Sequence, residues 1–283
     1  MFGHAPMRLH LVLAVAVFCA CAPAALAHHF RYTAYLTGTA ESPANPSPAL
    51  GHVVLTIDFD ENVLEVDATF DELLGNVTQA HIHAPTAAVG SGVADAATMV
   101  PSFDAFPTGV TSGDYAHEFD LALASTYNPD FITSSGGSIS TAYNALAAAL
   151  NGGKAYFDIH TSAYPDGEIR GFLSYVPGDY SDNGFVDAAD YITWRAAVGT
   201  IAEGLKADSN NDNVVDDLDY NAWRQNFGSQ GLSAPFGSVS ITGASIPEPS
   251  SFALFASALS APLWLRRRYI AASAFARTSL FNF

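Results

Sequence analysis

Twelve residues beginning at Asp179 recur, nearly position for position, 29 residues further along, and this duplication constrains the fold more than any bulk property. Asp179 to Asp190 aligns with Asp208 to Asp219, and the match continues through Tyr191/Tyr220, Trp194/Trp223, Arg195/Arg224 and Gly199/Gly228. Oxygen-bearing side chains fall at positions 1, 3, 5, 9 and 12 of each copy: Asp179, Ser181, Asn183, Asp187 and Asp190, then Asp208, Asn210, Asp212, Asp216 and Asp219. That spacing wraps hard oxygen donors around one Ca²⁺, with position 7 (Phe185, Val214) adding its backbone carbonyl. Position 6 calls for a left-handed turn, which Gly184 and Asn213 tolerate. Each loop is followed by a predicted short helix, the first with Tyr191, Trp194 and Val198 on one face. An acidic, solvated turn is the alternative for a single copy; two copies in register argue against it. Two Ca²⁺ sites also explain how about 50 residues without cysteine can form a domain, because metal supplies what so small a core cannot.

The pair resembles a type I dockerin over roughly residues 177–230. The resemblance implies two loop-helix units organised by calcium that dock a cohesin-like protein.

The stretch from Phe30 to Val176 has a different period. Val53, Leu55, Ile57 and Phe59 alternate with His52, Val54, Thr56 and Asp58. After Asp60, Glu61 and Asn62 the alternation resumes with Leu64, Val66, Ala68 and Phe70, which predicts a β-hairpin with one buried face. Further strands are expected near 77–83 and 154–161, and one short helix from Thr141 to Leu150, stopped by Asn151, Gly152 and Gly153. Many short strands with one minor helix predict a mainly β domain, residues 28–176, built as an antiparallel sandwich or barrel.

Strand alternation then places the histidines. His81 and His83 lie two apart, opposite Ile82, with Cβ atoms about 7 Å apart; Asp158 and His160 lie opposite Phe157 and Ile159. If the two strands are neighbours, His81, His83 and His160 can ligate Zn²⁺ or Cu²⁺. The alternative is a half-exposed hydrogen-bond network with Asp158, Glu168 and Arg170, and of the two the network is the expectation. His52 and His117 sit among apolar residues and are expected to pack.

The same residues carry a family resemblance. Leu36 to Pro43, Gly51, Ala80 to His83, Leu146 to Gly152, Tyr156 to Thr161 and Gly167 to Gly171 look like the chordin-type CHRD domain. That resemblance implies an extracellular β-fold; in animal chordins the domain accompanies growth-factor-binding modules.

Both ends carry targeting patterns. Residues 1–27 predict a signal peptide: Arg8 and His10 precede an apolar run from Leu11 to Ala22, and Ala25-Leu26-Ala27 suits cleavage before His28. After a Gly/Ser/Thr-containing linker (231–246) come Pro247-Glu248-Pro249, a hydrophobic helix over 252–265 and Arg266-Arg267-Arg268. An apolar segment stopped by arginines predicts transient membrane anchoring. Residues 247–268 resemble the PEP-CTERM sorting signal, which implies processing by an exosortase; residues 269–283 form an extension beyond it. Trimming both ends leaves Arg31, Lys154, Arg170, Arg195, Lys206 and Arg224 against nearly all of the 28 acids.

Composition closes several routes. A net charge of −17 argues against nucleic acid, which requires clustered Lys and Arg. Cys19 and Cys21 both lie in the leader, so the mature chain has no disulfide, thiolate chemistry or Cys-ligated zinc. No nucleophile elbow, phosphate-binding glycine loop or defined carboxylate pair occurs. The expectation is therefore an exported, surface- or matrix-associated, non-enzymatic binding and assembly protein with a calcium-dependent docking module. Two alternatives stay open. One is a Cu/Zn-type enzyme centred on the histidines; the other is an accessory module of an extracellular polysaccharide-degrading assembly.

Overall fold

Alternation of apolar and polar residues builds the first hairpin of the computed structural model, which describes residues 29–233. Strands β2 (Leu50–Asp58) and β3 (Val63–Asp71) pair Val53 with Ala68, Leu55 with Val66 and Ile57 with Leu64, all buried. Their turn is set by Asp58, whose Oδ1 accepts from the amides of Asp60 (2.8 Å) and Glu61 (2.9 Å), and by Asn62 at φ +60°. Five more strands join them: β1 (His29–Thr37), β4 (Val77–His83), β5 (Gly113–Asp120), β6 (Tyr156–Thr161) and β7 (Ile169–Phe172).

All seven lie in one antiparallel sheet of order β4-β6-β7-β1-β2-β3-β5, curled into a half-barrel. The mainly β, antiparallel architecture agrees with the expected sandwich or barrel, but the single sheet curls only part of the way round. No second sheet is needed among the described residues, because other apolar groups join the core. Helix α2 (Ile139–Asn151) contributes Ala142, Leu146, Ala149 and Leu150, while the loops contribute Phe103 and Phe106. Ser138 caps α2 in a reciprocal box with Thr141, so the helix starts two residues before its expected limit. A short helix not foreseen from the sequence, α1 (Pro129–Ser134), precedes it, capped by Asn128 with Pro129 in its first turn.

Helices α3 (Ala188–Ala197) and α4 (Asp217–Asn226) follow the two copies of the repeat. They enclose a separate small core of Tyr180, Val186, Trp194, Ala207, Val215 and Trp223. Tyr191 and Val198 are more than a third exposed, so only Trp194 of the expected apolar face is buried.

Among the described residues no helix is long and apolar enough to cross a membrane. The signal peptide, the linker from residue 234 onward, the Pro-Glu-Pro segment, the expected hydrophobic helix and the arginine triplet lie outside the described residues.

Candidate metal centres

The two repeat copies form near-identical loops related by reciprocal contacts. Trp194 Nε1 donates to Asp216 O (2.9 Å) and Trp223 Nε1 donates to Asp187 O (2.7 Å). Left-handed residues occur at positions 4 and 6 of both: Asp182 and Gly184, then Asn211 and Asn213, with φ from +54° to +76°. Position 6 agrees with the sequence reading; position 4 was not foreseen.

The carboxylates at positions 1 and 12 are held by loop amides. Asp179 accepts from Asn183 (3.1 Å) and Gly184 (2.8 Å), and Asp190 accepts from Ser181 (2.8 Å) and Asp187 (2.7 Å). Asp208 and Asp219 repeat the pattern with Asp212, Asn213, Ser209 and Asp216. At position 5, Asn183 and Asp212 accept from the amides of Phe185 and Val214. Asp187 and Asp216, at position 9, cap α3 and α4. Ser181 Oγ is buried without a hydrogen-bond partner, and Asn210 donates to Asp212 Oδ2 (2.8 Å). The carbonyls at positions 6 and 8 are engaged: Gly184 and Val186 by Gly231 and Gly228, Asn213 and Val215 by Ala202 and Gly199.

Burial and the neighbouring Asp190 carboxylate push Asp179 up to about 7. Burial likewise raises Asp190, Asp208 and Asp219. Among the described residues no Lys or Arg forms an ion pair with these four acids. The cations pair instead with Asp182 at position 4, where Arg31 and Lys206 meet it. Oxygen donors lacking a basic partner are the ligand type that Ca²⁺ takes.

The histidines form a second centre, because β4 and β6 are neighbours. His81 lies opposite Asp158, His83 opposite Tyr156 and Gln79 opposite His160. Ring centroids are separated by 5.4 Å (His81–His83), 5.2 Å (His81–His160) and 5.6 Å (His83–His160). One ring nitrogen from each lies within 4.8 Å of the others.

They are less exposed than the half-exposed group that was expected: His81 and His160 are buried and His83 is partly buried. The segment between β4 and β5 runs along the free edge of β4. Ala97 and Thr98 donate to Ile82 O, Phe103 to Ala80 O and Gly109 to Val77 O. That path brings carbonyls over the imidazoles. His81 Nε2 donates to Pro101 O (2.6 Å) and His83 Nδ1 to Ala94 O (2.9 Å), while the β6–β7 turn supplies Pro165 O for His160 Nδ1 (3.0 Å). Burial lowers all three histidines, His81 and His83 to about 4, so the imidazoles are neutral.

The expected acid-base neighbours divide. Asp158 belongs to the cluster, with Oδ2 3.9 Å from His160 Nε2 and Oδ1 buried without a partner. Arg170 pairs with Glu41 (3.6 Å), not Glu168, while its guanidinium stacks over Tyr156 and donates to the carbonyls of Ala40 and Gly92. Burial and their mutual repulsion push Asp158 well up, and burial raises Glu41 to about 7. Gly167, at φ +126°, lets these carboxyls approach, since a Cβ there would lie 2.8 Å from Asp158 Oδ1 and 2.9 Å from Glu41 Oε1. Glu168 serves elsewhere, accepting from Ser47, Thr161 and the amides of Leu74 and Gly75. Glu41 was missed as a partner of Arg170 because 129 residues of chain separate them; Arg31, which grips Asp182, was missed for the same reason. His52 packs on Tyr35 and His117 lies between Tyr115 and Phe119, as expected.

Neither the curated proteins nor the solved structures contain a match to this chain. A family model, the CHRD domain, matches residues 32–173. The matched region runs from β1 through β7, includes all three histidines, and ends before the 29-residue repeat. On that match, spanning half of the sequence, the chain belongs to the CHRD domain family.

Proposed function

We propose that this chain is an exported, non-enzymatic binding and assembly protein in which the CHRD domain is coupled to a dockerin-like module. That module folds around two Ca²⁺ and docks a cohesin-like protein. The observation that carries the reading is the paired loop geometry: carboxylates at positions 1 and 12 fixed by amides, left-handed residues at 4 and 6, and reciprocal tryptophan bonds across the two copies. Ca²⁺ would neutralise acids that have no basic partner and join each loop to the helix after it. Export and surface retention rest on the Ala25-Leu26-Ala27 site and the segment from Pro247 to Arg268.

Calorimetry of the exported chain should show two Ca²⁺ per molecule, with a change in Trp194 and Trp223 fluorescence. Asp179→Ala combined with Asp208→Ala should abolish both events. Unfolding indifferent to chelator, or binding that survives the double variant, would overturn the proposal. Mass spectrometry of the released form should find a start at His28 and an end near Pro249; recovery of residues 269–283 would refute the exosortase step.

A further inference from the structure

We infer that His81, His83 and His160 form a single buried site for one late first-row divalent ion, Zn²⁺ or Cu²⁺, with Asp158 as the fourth ligand. Three independent features of the site converge on this.

The first is the protonation pattern imposed by the backbone. A carbonyl oxygen can only accept, so each ring nitrogen facing one carries a hydrogen: Nε2 of His81 against Pro101 O, Nδ1 of His83 against Ala94 O and Nδ1 of His160 against Pro165 O. That leaves the opposite nitrogen of each ring, Nδ1 of His81 and Nε2 of His83 and His160, as the one available to a metal. His81 Nδ1 is buried and has no hydrogen-bond partner. Metal-ligating histidines show the same arrangement, with the distal N–H donated to a carbonyl that fixes tautomer and ring plane.

The second is distance. His83 Nε2 and His160 Nε2 are 3.5 Å apart, and with each Nδ1 hydrogen given to a carbonyl both Nε2 atoms are open to a shared ion. Tetrahedral Zn²⁺ with bonds of about 2.0–2.1 Å sets its ligand atoms about 3.3 Å apart. The pair therefore already spans one tetrahedral edge. Asp158 Oδ2, at 3.9 Å from His160 Nε2, stands near a second edge, and the 4.8 Å bound on the three ring nitrogens leaves His81 a small closure to make.

The third is the second oxygen of Asp158. Oδ1 is buried with no partner, and Gly167 holds open the space around it that a Cβ would fill. Arg170, opposite Asp158 on β7, is paired with Glu41 and donates to Ala40 O and Gly92 O, so an ion at Oδ2 would bring a second positive charge to two neighbouring buried carboxyls. Three imidazoles exclude Ca²⁺ and Mg²⁺, which take oxygen, and select Zn²⁺ or Cu²⁺, with Cu²⁺ the tighter binder. The ion would join β4, β6 and the segment over β4 at one point, since Ala94 and Pro101 of that segment orient two of its ligands.

The test uses the full exported chain, kept in excess Ca²⁺ so that the repeat is saturated. Loaded separately with Zn²⁺, Cu²⁺ and Co²⁺ and dialysed, the wild type should retain one ion per chain, and Co²⁺ should give the strong visible bands of a tetrahedral site. His81→Ala and His160→Ala should each weaken retention at least about 100-fold while leaving the two Ca²⁺ events unchanged. Asp158→Asn should keep the ion but shift the cobalt spectrum. Absence of stoichiometric ion from the wild type overturns the inference, as does retention in the His81→Ala/His160→Ala double variant. Should these variants fail to fold, the wild-type cobalt spectrum and its displacement by Zn²⁺ decide alone: no tetrahedral bands means no site. Zn²⁺ competing with Ca²⁺ for the repeat, rather than binding beside it, also overturns it.

Discussion

Glu168 shows how much one residue can hold when its charge is fully solvated by protein. Its side chain is buried, and its two oxygens accept from Ser47 Oγ (2.7 Å), Leu74 N (2.6 Å), Gly75 N (3.1 Å) and Thr161 Oγ1 (2.6 Å). Burial alone would raise its pKa, but these four donors outweigh it and hold the carboxyl below its ordinary value. The folded pKa is thus depressed. Its stabilising effect is complete above the unfolded value of about 4.3 and is lost as pH falls through the folded value. Glu168→Gln should cost about 2–3 kcal/mol at neutral pH, because one amide hydrogen-bonding face now opposes donors. Urea titrations from pH 7 to 3 should show a flatter acid limb for the variant; parallel limbs would assign the acid sensitivity to another carboxylate. The sequence places Glu168 beside Arg170, and a Glu-x-Arg pair was the natural expectation. Strand periodicity specifies a face but not which chain segments fold over it, so it could group His81, His83, Asp158 and His160 correctly while assigning Glu168 the wrong partners.

At the scale of elements, the weakest-looking join in the sheet is the seam between β1 and β7. Within the two strands only Thr37 and Arg170 pair across it, and the same register resumes just past β7, where Thr33 and Ser174 exchange both backbone hydrogen bonds (3.0 and 3.1 Å). A Cβ on Gly171 would stand 2.2 Å from Tyr35 O, so the two backbones touch where a side chain would separate them. Beyond the contact, Ser233 fills the gap: its Oγ accepts from Phe172 N (2.5 Å) and donates to Phe172 O (3.0 Å), while its carbonyl accepts from Tyr35 N (3.3 Å). Gly171→Ala should therefore destabilise the chain by about 3 kcal/mol through forced separation of the strands. Gly109→Ala is the matched control: φ is +75° but nothing lies within 4 Å, so only the backbone cost of about 1 kcal/mol applies. Equal losses in denaturant midpoint for both would remove the steric account of the seam. Period-two patterning made β2, β3, β4 and β6 legible, because their inward residues are uniformly apolar. Strands β1, β5 and β7 were not foreseen, and two further pieces escaped it as well. Helix α1 is too short for a 3.6-residue period to register, and the segment between β4 and β5 hydrogen-bonds along an edge without strand alternation.

For the whole molecule, the question is whether the repeat and the β-sheet behave as one body, and Asp182 is where they meet. It occupies position 4 of the first loop in a left-handed conformation, between the candidate ligands Ser181 and Asn183. Arg31 of β1 grips it with two hydrogen bonds, Nε to Oδ1 (2.7 Å) and Nη2 to Oδ2 (2.8 Å), and Lys206 adds a third (2.7 Å). Arg31 is itself fixed by Thr56 of β2 (3.0 Å). A two-pronged arginine on a buried carboxylate is among the stronger polar contacts, and lysine cannot reproduce its geometry. The second loop has Asn211 in the same position, and the arginine reaches only the first. That asymmetry separates two otherwise similar sites. Arg31→Ala should lower the Ca²⁺ affinity of the first loop about tenfold, equivalent to about 1.4 kcal/mol, and leave the second unchanged. In the wild type, Ca²⁺ should raise the melting temperature of the sheet along with that of the repeat, since binding to the folded form stabilises whatever is coupled to it. In Arg31→Ala the two transitions should separate, and Arg31→Lys should rejoin them only in part. Calorimetry of the three proteins with and without Ca²⁺ reads both effects. If both loops weaken together, or the sheet melts at the same temperature whatever the calcium, Arg31 is an ordinary ion pair and the two parts of the chain are only tethered.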